Sequence, residues 1–86
     1  ENFKSSKSGQ PIANQFIITL QNGIEVFQSY NSIIAVKANN ETYLDQNRWN
    51  YSRTTSRYRN QFLNETTVET VKKIGFGNYT MVDLNK

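Results

Sequence analysis

Between residues 15 and 44 the apolar positions come in short β-branched and aromatic runs, cut at intervals by asparagine, serine and glycine. Residues 15–20, Q-F-I-I-T-L, and 24–30, I-E-V-F-Q-S-Y, flank Gln21-Asn22-Gly23. That Asn-Gly pair predicts an antiparallel hairpin, because both central residues of a type I′ turn need positive φ. Asn31-Ser32 predicts a second turn before residues 33–38, I-I-A-V-K-A, and Asn39-Asn40 a third before residues 41–44, E-T-Y-L. The result is a meander of three or four short strands. Alternation in Phe16, Ile18 and Leu20, and in Ile24 and Val26, assigns those side chains to the face that meets the core.

After a loose passage at residues 45–48 the period changes. In W-N-Y-S-R-T-T-S-R-Y-R-N-Q-F-L, residues 49–63, helical spacing puts Tyr51, Thr55, Tyr58 and Phe62 in one sector at i, i+4, i+7 and i+11. Arg53, Arg57 and Asn60 fall on the other side. The pattern predicts a helix over 52–63, capped by Asn50 or Ser52 and ended by Asn64. Thr66-Thr67-Val68-Glu69 matches a capping box and opens a shorter helix that stops at Gly75, with Thr67, Val71 and Ile74 on its packing face and Lys72 and Lys73 turned away. Residues 78–84, N-Y-T-M-V-D-L, have strand composition and return to the sheet. The order β-β-β-β-α-α-β predicts an α+β domain, a small antiparallel sheet packed against one main helix and one short helix. Residues 1–13 lack periodicity and hold the only proline, so they are expected to form a flexible arm ahead of a single domain at 14–86. Because the chain starts at Glu1 rather than Met, part of the natural N-terminus is expected to be missing.

Eighty-six residues support only a small core, for which Phe16, Phe27, Tyr30, Tyr43, Trp49, Tyr58 and Phe62 are available. The chain has no cysteine and no histidine. Disulfide staples, thiolate or imidazole metal sites and the usual general base are therefore excluded. Asp45, Glu41 and Asp83 show no calcium-loop spacing. A non-enzymatic protein without metal or cofactor is expected. The net charge of +3 says little by itself, but its distribution does: no acid lies between Gln46 and Asn64, where Arg48, Arg53, Arg57 and Arg59 all fall. With Lys72 and Lys73 these are the candidate nucleic-acid contacts, arginine's planar fork matching phosphate geometry. An ordinary solvated helix face carries equal weight. Ser52, Thr54, Thr55 and Ser56 can donate to phosphates, though caps and helix surface account for them better. Trp49 and Tyr51 can stack on unpaired bases, but anchoring the helix to the sheet is the favoured role. No apolar run reaches membrane-spanning length and no signal-peptide core is visible, which leads to the expectation of a soluble protein in the cytoplasm of a bacterial host. Asn40, Asn50, Asn64 and Asn78 begin N-x-S/T triplets, but twelve asparagines among many Ser and Thr make such triplets by chance. The asparagine richness points instead to an AT-rich coding sequence.

The segments N-Q-F-I-I at 14–18, F-Q-S-Y-N-S-I-I-A at 27–35 and W-N-Y-S-R-T-T-S-R-Y-R-N-Q-F-L at 49–63 resemble a widespread group of small uncharacterised proteins of bacteriophages and other mobile elements. That group shares a Q-S-Y-x-S-hydrophobic-hydrophobic-A strand followed by W-x-Y-S-x-T-T-x-x-Y-x-x-x-F-L. The resemblance covers residues 14–64 and implies a genetic setting, a phage or plasmid accessory gene, with no functional residue to transfer. Three roles fit that setting: an accessory protein binding DNA or RNA through its basic helix, a protein-binding modulator of a host enzyme or anti-phage defence system, and a component of a virion or transfer machine. The arginine distribution favours the first.

Overall fold

The computed structural model describes residues 2–4 and 11–86. Strands β1 (Asn2–Lys4), β2 (Pro11–Thr19), β3 (Glu25–Ser29), β4 (Ser32–Ala38) and β5 (Glu41–Asp45) precede helices α1 (Arg53–Leu63) and α2 (Thr67–Gly75), and β6 (Tyr79–Val82) closes the order. The fold is α+β. Among the described residues the strands form a six-stranded sheet in sequence order, antiparallel except where β6 lies parallel to β5 after the helical crossover. Both ends of the expected arm, residues 2–4 and 11–13, pair within this sheet; the part between them lies outside the described residues. No helix among the described residues is long and apolar enough to cross a membrane.

The turns form where side chains tolerate positive φ. Asn22 and Gly23, at φ 68° and 77°, close the β2–β3 connection as a 3-10 turn, and Asn39 and Asn40, at 51° and 67°, turn β4 into β5. The middle turn falls one residue earlier than the sequence suggests: Ser29 pairs with Ser32, leaving Tyr30 and Asn31 as the turn, with Tyr30 at φ 54° and exposed.

Helix α1 lies over β2, β3 and β4, and α2 contacts β6. The row Ile17, Phe27, Ala35, Leu44 and Met81 runs across the sheet through successive pairings and meets Tyr58 and Phe62 of α1 and Ile74 of α2. Phe27 and Phe62 are tilted rings with centroids 5.8 Å apart. A bulge opposite Phe27 and Gln28 inserts Ile34, so that Ile34 and its neighbour Ala35 both enter the core.

This reverses the face expected for β2 and β3. Ile18 pairs with Val26 and shares a row with Val36 and Tyr43 on the side away from the helices, and Phe16 sits in the next row with Gln28 and Ile33. The alternation could not distinguish the two because Phe16-Ile17-Ile18 and Val26-Phe27 are apolar without a break, and a one-residue shift exchanges the faces. At the end of that open face Asn85 clamps β4: its Oδ1 accepts from Ile33 N–H at 2.6 Å and its Nδ2 donates to Ile33 C=O at 2.9 Å.

Candidate functional site

Helix α1 starts at the predicted cap. Ser52 is extended, at φ −149°, and its hydroxyl accepts from Thr55 N–H at 3.1 Å; Asn64 ends the helix in the left-handed conformation. Thr55, Tyr58 and Phe62 face the sheet as expected, and Thr55 Oγ1 shares a 3.0 Å hydrogen bond with Ser29 Oγ beneath the helix. Tyr51 does not join them. It precedes the cap, outside the helical repeat that was extended to it, and is 51% exposed.

The largest departure concerns Arg59. Expected among the outward-reaching arginines, it is fully buried. One terminal nitrogen donates to Trp49 C=O at 2.6 Å and Asn50 Oδ1 at 3.0 Å, the other to Asn60 Oδ1 at 2.8 Å and Thr67 Oγ1 at 3.0 Å. The guanidinium also lies 5.1 Å from the centre of the Trp49 ring. Arg59 thus fastens the loop before α1 to the start of α2. Four acceptors at 3.0 Å or less and an aromatic face exist for it because asparagine, threonine and tryptophan flank it in space, which the helical wheel alone does not show. Among the described residues no carboxylate pairs with it directly; burial lowers its pKa, opposed by the charge of Glu65 and the Tyr79 hydroxyl, and an arginine so hydrogen-bonded keeps its positive charge.

The other candidates separate into two groups. Arg53 and Arg57 are exposed, one turn apart on α1, and form no ion pair among the described residues. Both line an open groove of about 970 Å³ together with Asn50, Tyr51, Ser52, Thr54, Ser56, Asn60, Gln61 and Thr67. No acid is in its lining. Arg48 instead lies 3.9 Å from the buried Asp45 carboxylate. Lys73 donates to Glu65 at 2.7 Å, and Lys72 is exposed on α2 outside the groove.

Two buried carboxylates hold the frame of this site. Glu65 accepts from Lys73, from Tyr79 OH at 2.7 Å and from Thr70 Oγ1 at 2.5 Å, tying the α1–α2 linker to α2 and β6. Burial alone would raise its pKa, but these donors outweigh it and hold it below the ordinary glutamate range. The Tyr79 hydroxyl is pushed up to about 12, by burial first and then by Glu65. Asp45 accepts from Leu84 N–H at 2.8 Å and Asn47 N–H at 3.1 Å, and with Asn85 and Arg48 these override burial and lower its pKa. On α2 the capping box is formed by Thr66 and Glu69 as predicted, but its buried residue is Thr70; Val71, expected on the packing face, is exposed.

The floor of the groove is therefore made of the groups that hold Arg59. Asn50, Ser56, Asn60 and Thr67 present their oxygens inward to the guanidinium and their outer surfaces to the groove. A buried cation beneath, two free arginines above and no acid in the walls give the recess an attraction for anions. The sequence named the two free arginines; it missed Asn50, Asn60 and Thr67, whose only signal was their position within reach of a helix arginine. Among the described residues no group of three His, Cys, Asp or Glu side chains could hold a metal ion.

The chain belongs to DUF8033, a family of unknown function, whose family model matches residues 2–78. No curated protein and no solved structure matches it.

Proposed function

We propose that this protein binds nucleic acid, without catalysis, through the groove along α1, as an accessory protein of a phage or other mobile element. The observation that supports the reading is the pair Arg53 and Arg57: both exposed, one helical turn apart, without an ion pair among the described residues although Arg57 lies 5.6 Å from the Tyr58 ring centre, and set in a groove in whose lining no described residue is an acid. Two like charges at i, i+4 repel each other, so leaving both free costs stability unless an anion occupies the groove. A rise of 1.5 Å per residue separates them by about 6 Å along the axis, a spacing that successive phosphates of one strand can match. The hydroxyls of Ser52, Thr54 and Ser56 supply neutral donors beside them. The mobile-element setting is supported by the motif resemblance at residues 14–64.

The test is fluorescence anisotropy of labelled DNA and RNA oligonucleotides at low salt. The parent protein binds, and Arg53→Ala with Arg57→Ala weakens binding severalfold while the melting temperature stays within a few degrees. Absence of binding to every oligonucleotide would reject the reading. Weight then passes to a protein-binding modulator of a host protein.

A further inference from the structure

We infer that the groove takes a single strand rather than a duplex, with the ring of Tyr51 stacking on an unpaired base whose neighbouring phosphates lie against Arg53 and Arg57. This rests on the reading of the groove as a nucleic-acid interface.

Three observations carry it. First, Tyr51 is the aromatic residue that lines the recess, half exposed, and among the described residues neither its ring nor its hydroxyl has a partner. The neighbouring aromatics are committed elsewhere: Trp49 packs on the core and under Arg59, and Tyr58 is buried against the sheet. An aromatic ring left open beside two exposed cations that no acid pairs with among the described residues combines the two elements by which single strands are held, a stacking surface and a basic track for the backbone. Second, the site is a shallow, open groove in which residues 50–52 and Thr67 at the start of α2 flank α1, a track along which a single chain can lie, whereas insertion into a duplex major groove needs a helix that projects. In a duplex, moreover, bases are stacked inside and offer no face to Tyr51. Third, Gln61 continues the line of Arg53 and Arg57 by one more turn, lines the same recess and is exposed. Its amide has a donor and an acceptor for the edge of an unpaired base.

The experiment compares four labelled probes of one length: single-stranded DNA, single-stranded RNA, the corresponding DNA duplex and a DNA strand with abasic sites. Parent protein, Tyr51→Phe and Tyr51→Ala are titrated on each. Tyr51 is half exposed and has no hydrogen bond or ring contact among the described residues, so all three should melt within a few degrees of one another. Stacking of one base predicts that intact single strands bind about 5- to 150-fold more tightly than the abasic strand, and that Tyr51→Ala removes the difference while Tyr51→Phe keeps it. Equal binding of intact and abasic strands, or tighter binding of the duplex, overturns the inference but leaves the groove reading standing if binding still depends on Arg53 and Arg57. Binding of no probe overturns both.

Discussion

Replacing Arg59 with methionine removes a buried cation while keeping most of its length and apolar volume. In the parent, its terminal nitrogens satisfy Trp49 C=O, Asn50 Oδ1, Asn60 Oδ1 and Thr67 Oγ1, all at 3.0 Å or less. The methionine variant leaves these acceptors without that donor. Hydrogen bonds to a charged group contribute about 1.5–3 kcal/mol each, but part of that is recovered because the guanidinium no longer has to be desolvated. Asn60 Oδ1 and Asn50 Oδ1 can also turn toward the groove and recover water. The net loss is therefore about 3–5 kcal/mol, in the range found when one member of a buried polar network is removed. For a domain of this size that lowers the melting temperature by about 12–40 °C. Thermal and urea denaturation followed by circular dichroism read it directly, with Arg57→Ala, on the exposed side of the same helix, as a control expected to change stability by less than about 0.5 kcal/mol. Arg59→Lys should fall near methionine, since an ammonium keeps the charge but cannot span four acceptors on two sides. If Arg59→Met melts with the control, the guanidinium is not what joins the 49–50 loop to α2, and the account of the groove floor fails with it.

Truncating the core rings, Tyr58→Ala or Phe62→Ala, should each cost about 3–5 kcal/mol by chemical denaturation; a cost below 1 kcal/mol would show that α1 is not seated on Phe27 and Leu44. Asn85→Ala removes both bonds to Ile33 and should cost about 1–2 kcal/mol, whereas Lys86→Ala, next to it and exposed, should be close to neutral. Folded Glu65 and Asp45 hold their protons less tightly than the unfolded chain does, so their stabilisation is complete above the ordinary carboxylate range and is lost as pH falls through it. Glu65→Gln should accordingly lower stability at pH 7 and flatten the decline between about pH 5 and pH 3; an unchanged acid limb would contradict the assignment. At the alkaline end the sign is opposite, because Tyr79 keeps its proton up to about 12 in the folded protein and its contribution fades only as pH rises past the ordinary tyrosine range.

Elements defined by local chemistry were legible in the sequence. Asn22-Gly23, Asn39-Asn40, the Ser52 and Asn64 caps and the Thr66–Glu69 box each act within a few residues, and the structure forms them where the sequence places them. Decisions made between distant elements were not. Which of Ile17 and Ile18 faces the helices depends on register with β3 and on the bulge at Ile34, and neither leaves a mark in a fully apolar run. The same holds for the arginines: the wheel of α1 separates a buried from an exposed side, but Arg59 lies at its border, and its burial depends on acceptors brought in from Trp49, Asn50 and Thr67. Arg53 and Arg57 were legible because they stay exposed and, among the described residues, no acid pairs with them; the guanidinium of Arg57 lies over the Tyr58 ring beside it. Tyr51 was misplaced for a simple reason, since a helical repeat was carried past the cap that ends it.

The central claim is that Arg53 and Arg57 hold phosphates in the α1 groove, and the salt dependence of oligonucleotide binding measures this most directly. Titrations of a single-stranded probe across a range of salt concentrations give the slope of log affinity against log salt, about −0.7 for each phosphate neutralised. Removing both arginines should flatten that slope by about 1.4 with the fold intact, two phosphate contacts having gone. A slope that is the same in parent and double variant would place the contacts elsewhere and contradict the account.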